Sequence, residues 1–243
     1  MIAKGKRSLL KTVSWRVIAT TVLFVLSFLI LQGDTEKALI VTIAYHSIQM
    51  GTYYLHERMW GRIKWGLSSG CFIQMTGMSG AGKTTLARMV GQRLQARGLN
   101  VEVIDGDEFR SGLCSDLGFS KEDRNTNIRR LGFVSKVLAR NNVVSIISAI
   151  NPYEDVRSEL ARMGPNVKTV FIQCDLETLK MRDTKGLYRK ALLPDGHPEK
   201  IHNFTGVSDP FDTPENADLM IDTSSSSIDE AAKKLEKFIL RSI

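Results

Sequence analysis

Residues 77–84 read Gly-Met-Ser-Gly-Ala-Gly-Lys-Thr, a G-x-x-x-x-G-K-T pattern that constrains this chain more than any other stretch of it. Its glycines let successive backbone N–H groups turn inward around an anion with no Cβ in the way. In such a loop Gly77, Ser79, Gly80, Ala81 and Gly82 cradle a triphosphate, and Lys83, Thr84 and Thr85 open the following helix. Lys83 reaches the β- and γ-phosphates, and the Thr84 hydroxyl is placed to hold Mg²⁺. The flanks agree with this reading. Cys71–Met75 is a short apolar run of strand type, and Leu86, Met89, Val90 and Leu94 recur at helical spacing up to Gly98. Strand, glycine loop and helix together separate a phosphate-binding loop from a chance glycine-rich turn. ATP and Mg²⁺ are therefore the expected cofactors; what is done with them is left open.

Charge divides the chain in two. Residues 1–66 carry nine Lys/Arg against three Asp/Glu, a net of +6 out of +7 for all 243 residues, so residues 67–243 are close to neutral. A nucleic-acid-binding domain would carry its own basic excess, and no nucleic-acid partner is expected. Cys71, Cys114 and Cys174 are odd in number and widely spaced, which speaks against a disulfide framework or a zinc site and for a reducing compartment. The four histidines have no metal-ligand spacing.

The basic part predicts an all-α transmembrane hairpin in residues 1–66, with helices at about 13–31 and 38–55. Each apolar run is long enough for a hydrocarbon core of about 30 Å, and the link 32–37 is short and polar. Basic residues lie outside the pair, at Lys4, Lys6, Arg7, Lys11 and Arg16 before it and Arg58, Arg62 and Lys64 after it. Both termini and residues 67–243 are then cytoplasmic, at the cell membrane, with the lipid bilayer as a partner. Trp15, Tyr53, Tyr54, Trp60 and Trp65 would form an interfacial aromatic belt. A cleaved signal peptide fits the second run poorly, and a soluble helical hairpin is the remaining alternative. His46 and Gln49 share a face and are expected to bond between helices or subunits.

From residue 71 onward strand and helix patterns alternate, with strands at 71–75, 101–105, 143–149, 168–173 and 219–221. Near-continuous apolar strands predict an α/β fold, a parallel sheet covered by helices on both faces. Ligands in such sheets bind beyond the carboxyl ends of the strands. The second strand ends in Asp105-Gly106-Asp107, whereas the third ends Ser148-Ala149-Ile150-Asn151 without an acid. The carboxylate that orders Mg²⁺ is therefore sought in Asp105 and Asp107, with Asp107 also a candidate base; the alternative is a solvated turn. Ser120 and Asp123 form a capping box, and the helix they open presents Arg124 and Asn127, a site for a second anion. A basic lid runs from Arg182 through Lys185 to Lys190, then Pro194–Pro198 and Phe204–Gly206.

At these residues the chain resembles adenylylsulfate (APS) kinases, P-loop enzymes that phosphorylate the 3′-hydroxyl of adenosine 5′-phosphosulfate to give PAPS. The resemblance covers residues 71–241 and rests on Gly77–Thr84, Asp105–Asp107 with Arg110, Asp116–Ser120, Asp123-Arg124, Asn127–Arg130, Pro152-Tyr153, Arg182–Tyr188 and Phe204–Gly206. It implies that Asp107, Lys83 and Lys185 serve catalysis. It also implies that Arg110, Phe119, Arg124, Asn127, Ile150, Asn151 and Phe204 hold the acceptor, with Phe119 and Phe204 sandwiching adenine. The family usually has Ser-Pro where this chain has Asn151-Pro152, so direct in-line transfer is expected here. Thr126 stands for the family's usual Glu, Cys114 for a common Asn, and the lid is extended near 193–201. These departures keep two alternatives in view: a different modified nucleotide, such as a phosphoramidate-bearing one, or a sensor that transfers nothing. Residues 11–66 resemble a family of small membrane proteins of unknown function. A homodimer and a membrane-proximal sulfotransferase complete the expected partners.

Overall fold

In the computed structural model the backbone is described for residues 5–30, 35–63 and 70–243. The chain divides into two compact units, Met1–Ser68 and Ser69–Ile243.

The first unit pairs two helices, α1 (Gly5–Ile30) and α2 (Thr35–Arg62). Both run longer than the expected 13–31 and 38–55. Among the described residues no helix is long and apolar enough to cross a membrane. The added turns bring charge into each helix: Lys6, Arg7 and Lys11 at the start of α1, and Glu57, Arg58 and Arg62 at the end of α2. The polar contacts between helices also differ from expectation. Lys11 pairs with Glu57 at 2.8 Å, and Ser14 Oγ meets His56 Nε2 at 2.9 Å. Trp60 Nε1 donates to that same nitrogen at 3.0 Å. His46 is exposed, and Gln49 faces a small gap beside Trp15, Tyr45 and Thr52. Of the expected aromatic belt, Trp15 packs edge-on against Tyr53 with centroids 5.0 Å apart, while Trp65 lies outside the described residues.

The second unit is a five-stranded sheet in the order β2-β3-β1-β4-β5, every pair parallel. Its strands are β1 (Phe72–Thr76), β2 (Val101–Asp105), β3 (Val144–Ser148), β4 (Val167–Gln173) and β5 (Leu219–Asp222). β1 and β3 are buried along their whole length, which is why their sequences read as unbroken runs rather than alternating ones. On one face α3 (Lys83–Ala96) and α9 (Ile228–Ser242) pack Leu86, Val90, Leu94, Leu235 and Ile239 against Ile73, Ile146 and Ile172. On the other, α5 (Lys121–Arg140) and α6 (Glu154–Ala161) pack Ile128, Leu131, Val156 and Leu160 against Phe72, Ile104 and Ile147. Short helices α4 (Gly106–Arg110), α7 (Leu176–Arg182) and α8 (Leu187–Ala191) rim the carboxyl edge. The crossover from β1 to β2 runs to one side of β1 and that from β3 to β4 passes to the other, so the strand order reverses at β1 and a crevice opens above its tip.

Candidate active site

The phosphate loop leaves β1 at that crevice. Gly77 adopts φ 151°, and a Cβ there would lie 2.4 Å from the Ile172 carbonyl oxygen, so the loop's first turn admits only glycine. Gly80 (φ 77°) and Gly82 (φ 92°) take left-handed conformations that turn the backbone toward α3. Ser79, Gly80, Gly82, Lys83, Thr84 and Thr85 line a cavity of about 620 Å³; Ala81 is buried behind them. Lys83 Nζ donates to the carbonyls of Gly77 and Met78, both at 2.8 Å. Burial pushes its pKa down to about 8; the Asp107 carboxylate opposes this, and Lys185 adds to it. A lysine desolvated among its own loop's carbonyls is a cation waiting for a stronger anion.

Thr84 Oγ1 donates to Asp105 Oδ2 at 3.0 Å and meets Ser148 Oγ at 2.9 Å. Asp105 Oδ1 in turn accepts the Asp107 amide at 2.9 Å, capping α4 and aiming Asp107 outward. Asp107 Oδ2 receives Lys185 Nζ at 2.5 Å across the mouth of the cavity. Asp107, and not Asp105, is the exposed carboxylate of the turn. Among the described residues no three His, Cys, Asp or Glu side chains converge on one point. The oxygen set of Thr84, Asp105 and Ser148 suits a hard cation that keeps water and phosphate ligands, as Mg²⁺ does. Ser148 escaped the sequence reading, which registered only that the third strand's tip lacks an acid; a hydroxyl at that position was the available signal.

A smaller recess of about 70 Å³ adjoins the cavity, lined by Asp107, Arg110, Phe119, Arg124, Asn127, Ile150 and Asn151 among others. Ser120 accepts the Asp123 amide at 3.1 Å, but the Asp123 carboxylate receives the Ser120 hydroxyl rather than its backbone N–H, so only half of the expected capping box forms. Arg124 Nη1 donates to Thr205 Oγ1 at 3.1 Å and Nη2 to the Asn203 carbonyl at 2.6 Å. Arg110 Nη1 donates to the Gly118 carbonyl at 2.8 Å. Both guanidiniums stand over the Phe119 ring, at 4.6 Å for Arg110 and 5.6 Å for Arg124. Burial, and then the charge of Arg124, lowers the pKa of Arg110. Two adjacent guanidiniums held by neutral acceptors leave their positive charge for a ligand. Across the cavity, Phe204 is buried edge-on against Tyr188, centroids 4.9 Å apart, and Tyr188 donates its hydroxyl to the Ser79 carbonyl at 2.9 Å. Asn203 was missed in the sequence because it acts through its backbone carbonyl; Tyr188 and Thr205 stood within the lid motifs, but no spacing rule reports that their hydroxyls meet Ser79 and Arg124.

The phosphate loop, the Asp-Gly-Asp turn, the paired guanidiniums and the lid thus meet around one cavity. Residues 69–222 match the family described as Adenylylsulphate kinase, well over half of the chain. The chain belongs to the adenylylsulphate kinase family. An adenylyl-sulfate kinase of Chloroflexus aurantiacus is 46% identical over 167 residues, 69% of this chain and 87% of that protein. A probable bifunctional SAT/APS kinase 2 of Sorangium cellulosum is also 46% identical over 167 residues, and the match spans 28% of its length. Among solved structures, an APS kinase of Mycobacterium tuberculosis in complex with AMPPNP and APS has a TM-score of 0.65 at 36% identity, covering 71% of this chain and 98% of that one. A hexameric APS kinase from Thiobacillus denitrificans matches at TM-score 0.53 and 30% identity, over 72% of this chain and 29% of that one. Residues 9–61 match a second family, described as Predicted membrane protein (DUF2061).

Proposed function

We propose that this kinase transfers the γ-phosphoryl group of ATP to the 3′-hydroxyl of adenosine 5′-phosphosulfate. The observation that carries the reading is the pair Arg110 and Arg124, without carboxylate partners among the described residues, beside Asp107 and opposite the phosphate loop. That pair offers only donors and positive charge, which suits the phosphosulfate of the acceptor. Lys83, Thr84 and the loop amides from Ser79 to Thr85 hold the triphosphate of ATP. Thr84, Asp105, Ser148 and Asp107 would hold Mg²⁺, which neutralises charge on the transferring phosphoryl oxygens. Asp107 orients the attacking hydroxyl and accepts its proton. Lys185, released from Asp107 as the acceptor enters, adds positive charge on the side where the lid closes. Ile150 and Asn151 wall the acceptor recess, and Phe119 and Phe204 offer ring faces to its base. Asn151 has no hydroxyl to phosphorylate, so transfer is direct and in line.

A coupled assay of the detergent-solubilised full chain, with ATP, Mg²⁺ and a panel of nucleotides including APS, tests this. APS is expected to be the preferred acceptor. Asp107→Ala is expected to lose at least about 10²-fold in kcat, the scale of a positioned acid–base group; an undiminished rate removes Asp107 from the role.

The hairpin adds location. Leu9, Val17, Leu29, Ile40, Ile43, Met50 and Leu55 are all exposed along α1 and α2, and the match to a family of membrane proteins supports lipid as their cover. The reading is a membrane-tethered enzyme with both termini cytoplasmic, supplying its product to a membrane-bound sulfotransferase. Co-purification from solubilised membranes with such a transferase checks the last step, and loss of that association on removing the hairpin is the expected control.

A further inference from the structure

Gln74 is a polar residue in the middle of β1, the central strand, with no exposed surface and with Phe72, Ile73 and Met75 as apolar neighbours. Its amide is spoken for. Nε2 donates to the Arg157 carbonyl at 3.0 Å and to Thr169 Oγ1 at 2.8 Å. Oε1 must therefore face the remaining partner, and it accepts Asn151 Nδ2 at 3.1 Å. Arg157 Nη1 closes the ring by donating to the Asn151 carbonyl at 2.9 Å.

This ring removes the usual freedom of an asparagine amide. A flip would set Asn151 Oδ1 against Gln74 Oε1, two acceptors facing each other with no proton between them. The Asn151 backbone is held as well, at φ 47°, in the left-handed region that asparagine tolerates better than other side chains. Asn151 Oδ1 is thus fixed in place, buried, and without a donor among the described residues. A buried amide oxygen left without a donor is rare in folded proteins, and such groups commonly mark function. The residue that carries it lines the acceptor recess beside Asp107, Arg110 and Asn127. The amide oxygen of Asn127 also lacks a donor among the described residues, and none of them dictates which end of that amide faces the recess.

We infer that Asn151, oriented by Gln74, is a specificity-determining residue: its Oδ1 accepts a hydrogen bond from a sugar hydroxyl of the acceptor nucleotide, the one that is not phosphorylated. Hydroxyls and the base's exocyclic amine are the only neutral donors an adenine nucleotide brings, and Asn151 lies on the same recess as Asp107, which handles the reacting hydroxyl. Gln74 acts through Asn151 and is a positioning residue. A site with a prepaid, unpartnered acceptor discriminates against a ligand lacking the matching hydroxyl, because that acceptor then stays buried and unmet. The inference rests on the kinase reading above.

The test compares APS with its 2′-deoxy analogue as acceptors for the full-length solubilised protein. The wild-type chain is expected to favour the ribose form by at least about tenfold in kcat/KM, mostly through KM. Asn151→Gly keeps the left-handed backbone free of strain and removes the amide, so the preference is expected to collapse toward unity. Gln74→Leu, which unlocks the amide without touching the recess, is expected to lose most of the preference while Asn151 is still present. Turnover of neither acceptor by the wild-type chain would count against the kinase reading itself. Turnover of both at equal efficiency would overturn the inference and leave the kinase reading standing. So would a preference that survives Asn151→Gly.

Discussion

Lys83 shows how one buried cation ties stability to pH and to ligand. Its ordinary pKa of 10.5 falls to about 8, mainly through burial. A lysine whose folded pKa is lowered binds fewer protons in the native than in the unfolded state between those two values. Stability therefore rises with pH once pH passes about 8. Three opposing groups bound the window. The buried Cys71 thiol is pushed up to about 12 from 9.0, again mainly by burial, and costs stability above pH 9. Tyr153 and Tyr188, both raised to about 12 from 10.0, do the same above pH 10. Between pH 8 and 9 the ligand-free protein is expected to gain about 1 kcal/mol, since one pK unit is worth about 1.4 kcal/mol. Denaturant unfolding at the two pH values measures it, and Lys83→Met should abolish the rise. Triphosphate binding restores a counter-charge, so ATP at pH 8.5 is expected to bind with proton uptake, read by calorimetry in buffers of different ionisation enthalpy. The place of Lys83 at the head of α3, facing the cavity, was legible from the G-K-T spacing alone. Its folding back onto Gly77 and Met78 was not, because backbone carbonyls are present in every sequence and only the loop's turn aims two of them at one nitrogen.

At the scale of elements, the lid is a set of contacts onto the phosphate loop and the Asp105–Asp107 turn rather than a free basic strap. Tyr188 on α8 holds the Ser79 carbonyl, Lys185 reaches Asp107, and Gly206 returns the chain to the loop from the far side. At Gly206 φ is +84°, and a Cβ would lie 2.6 Å from Met78 Sδ, within the phosphate loop. Gly206→Ala is expected to cost about 1–2 kcal/mol for the left-handed backbone and to raise the KM for ATP severalfold through the displaced Met78. Adding Met78→Ala relieves the contact but not the backbone strain. Thermal unfolding should thus show most of the loss persisting in the double variant, while the KM for ATP recovers. The strand and helix order, and the Asp105–Asp107 turn at a strand tip, were legible because buried parallel strands write themselves as apolar runs and leave their chemistry just beyond the end. The ring of Gln74, Asn151 and Arg157 was not legible. Its members are 77 and 83 residues apart along the chain, and a glutamine inside an apolar run reads as a blemish until its partners are placed around it.

For the whole molecule, the segregation of charge raises the question of what holds residues 1–66 to their surroundings. Basic residues alone would give a surface attraction that salt screens, since the Debye length shrinks to about 3 Å at 1 M. Apolar contact does not weaken in that way. α1 and α2 expose Leu9, Val17, Leu29, Ile40, Met50 and Leu55. Meanwhile Lys11–Glu57 and Ser14–His56–Trp60 satisfy several of the polar groups where the helices pair. The side chains left facing outward are thus largely apolar, and burying each against hydrocarbon is worth about 1.5–3 kcal/mol. Membranes from cells expressing the full chain should therefore retain it through 1 M salt and alkaline carbonate and release it only to detergent. Release by salt would reduce the hairpin to an electrostatic surface anchor. A charge placed at Ile43 or Met50, mid-helix and exposed, separates the two cases further: it should weaken carbonate-resistant retention if lipid covers that face and leave salt-sensitive binding unchanged if it does not.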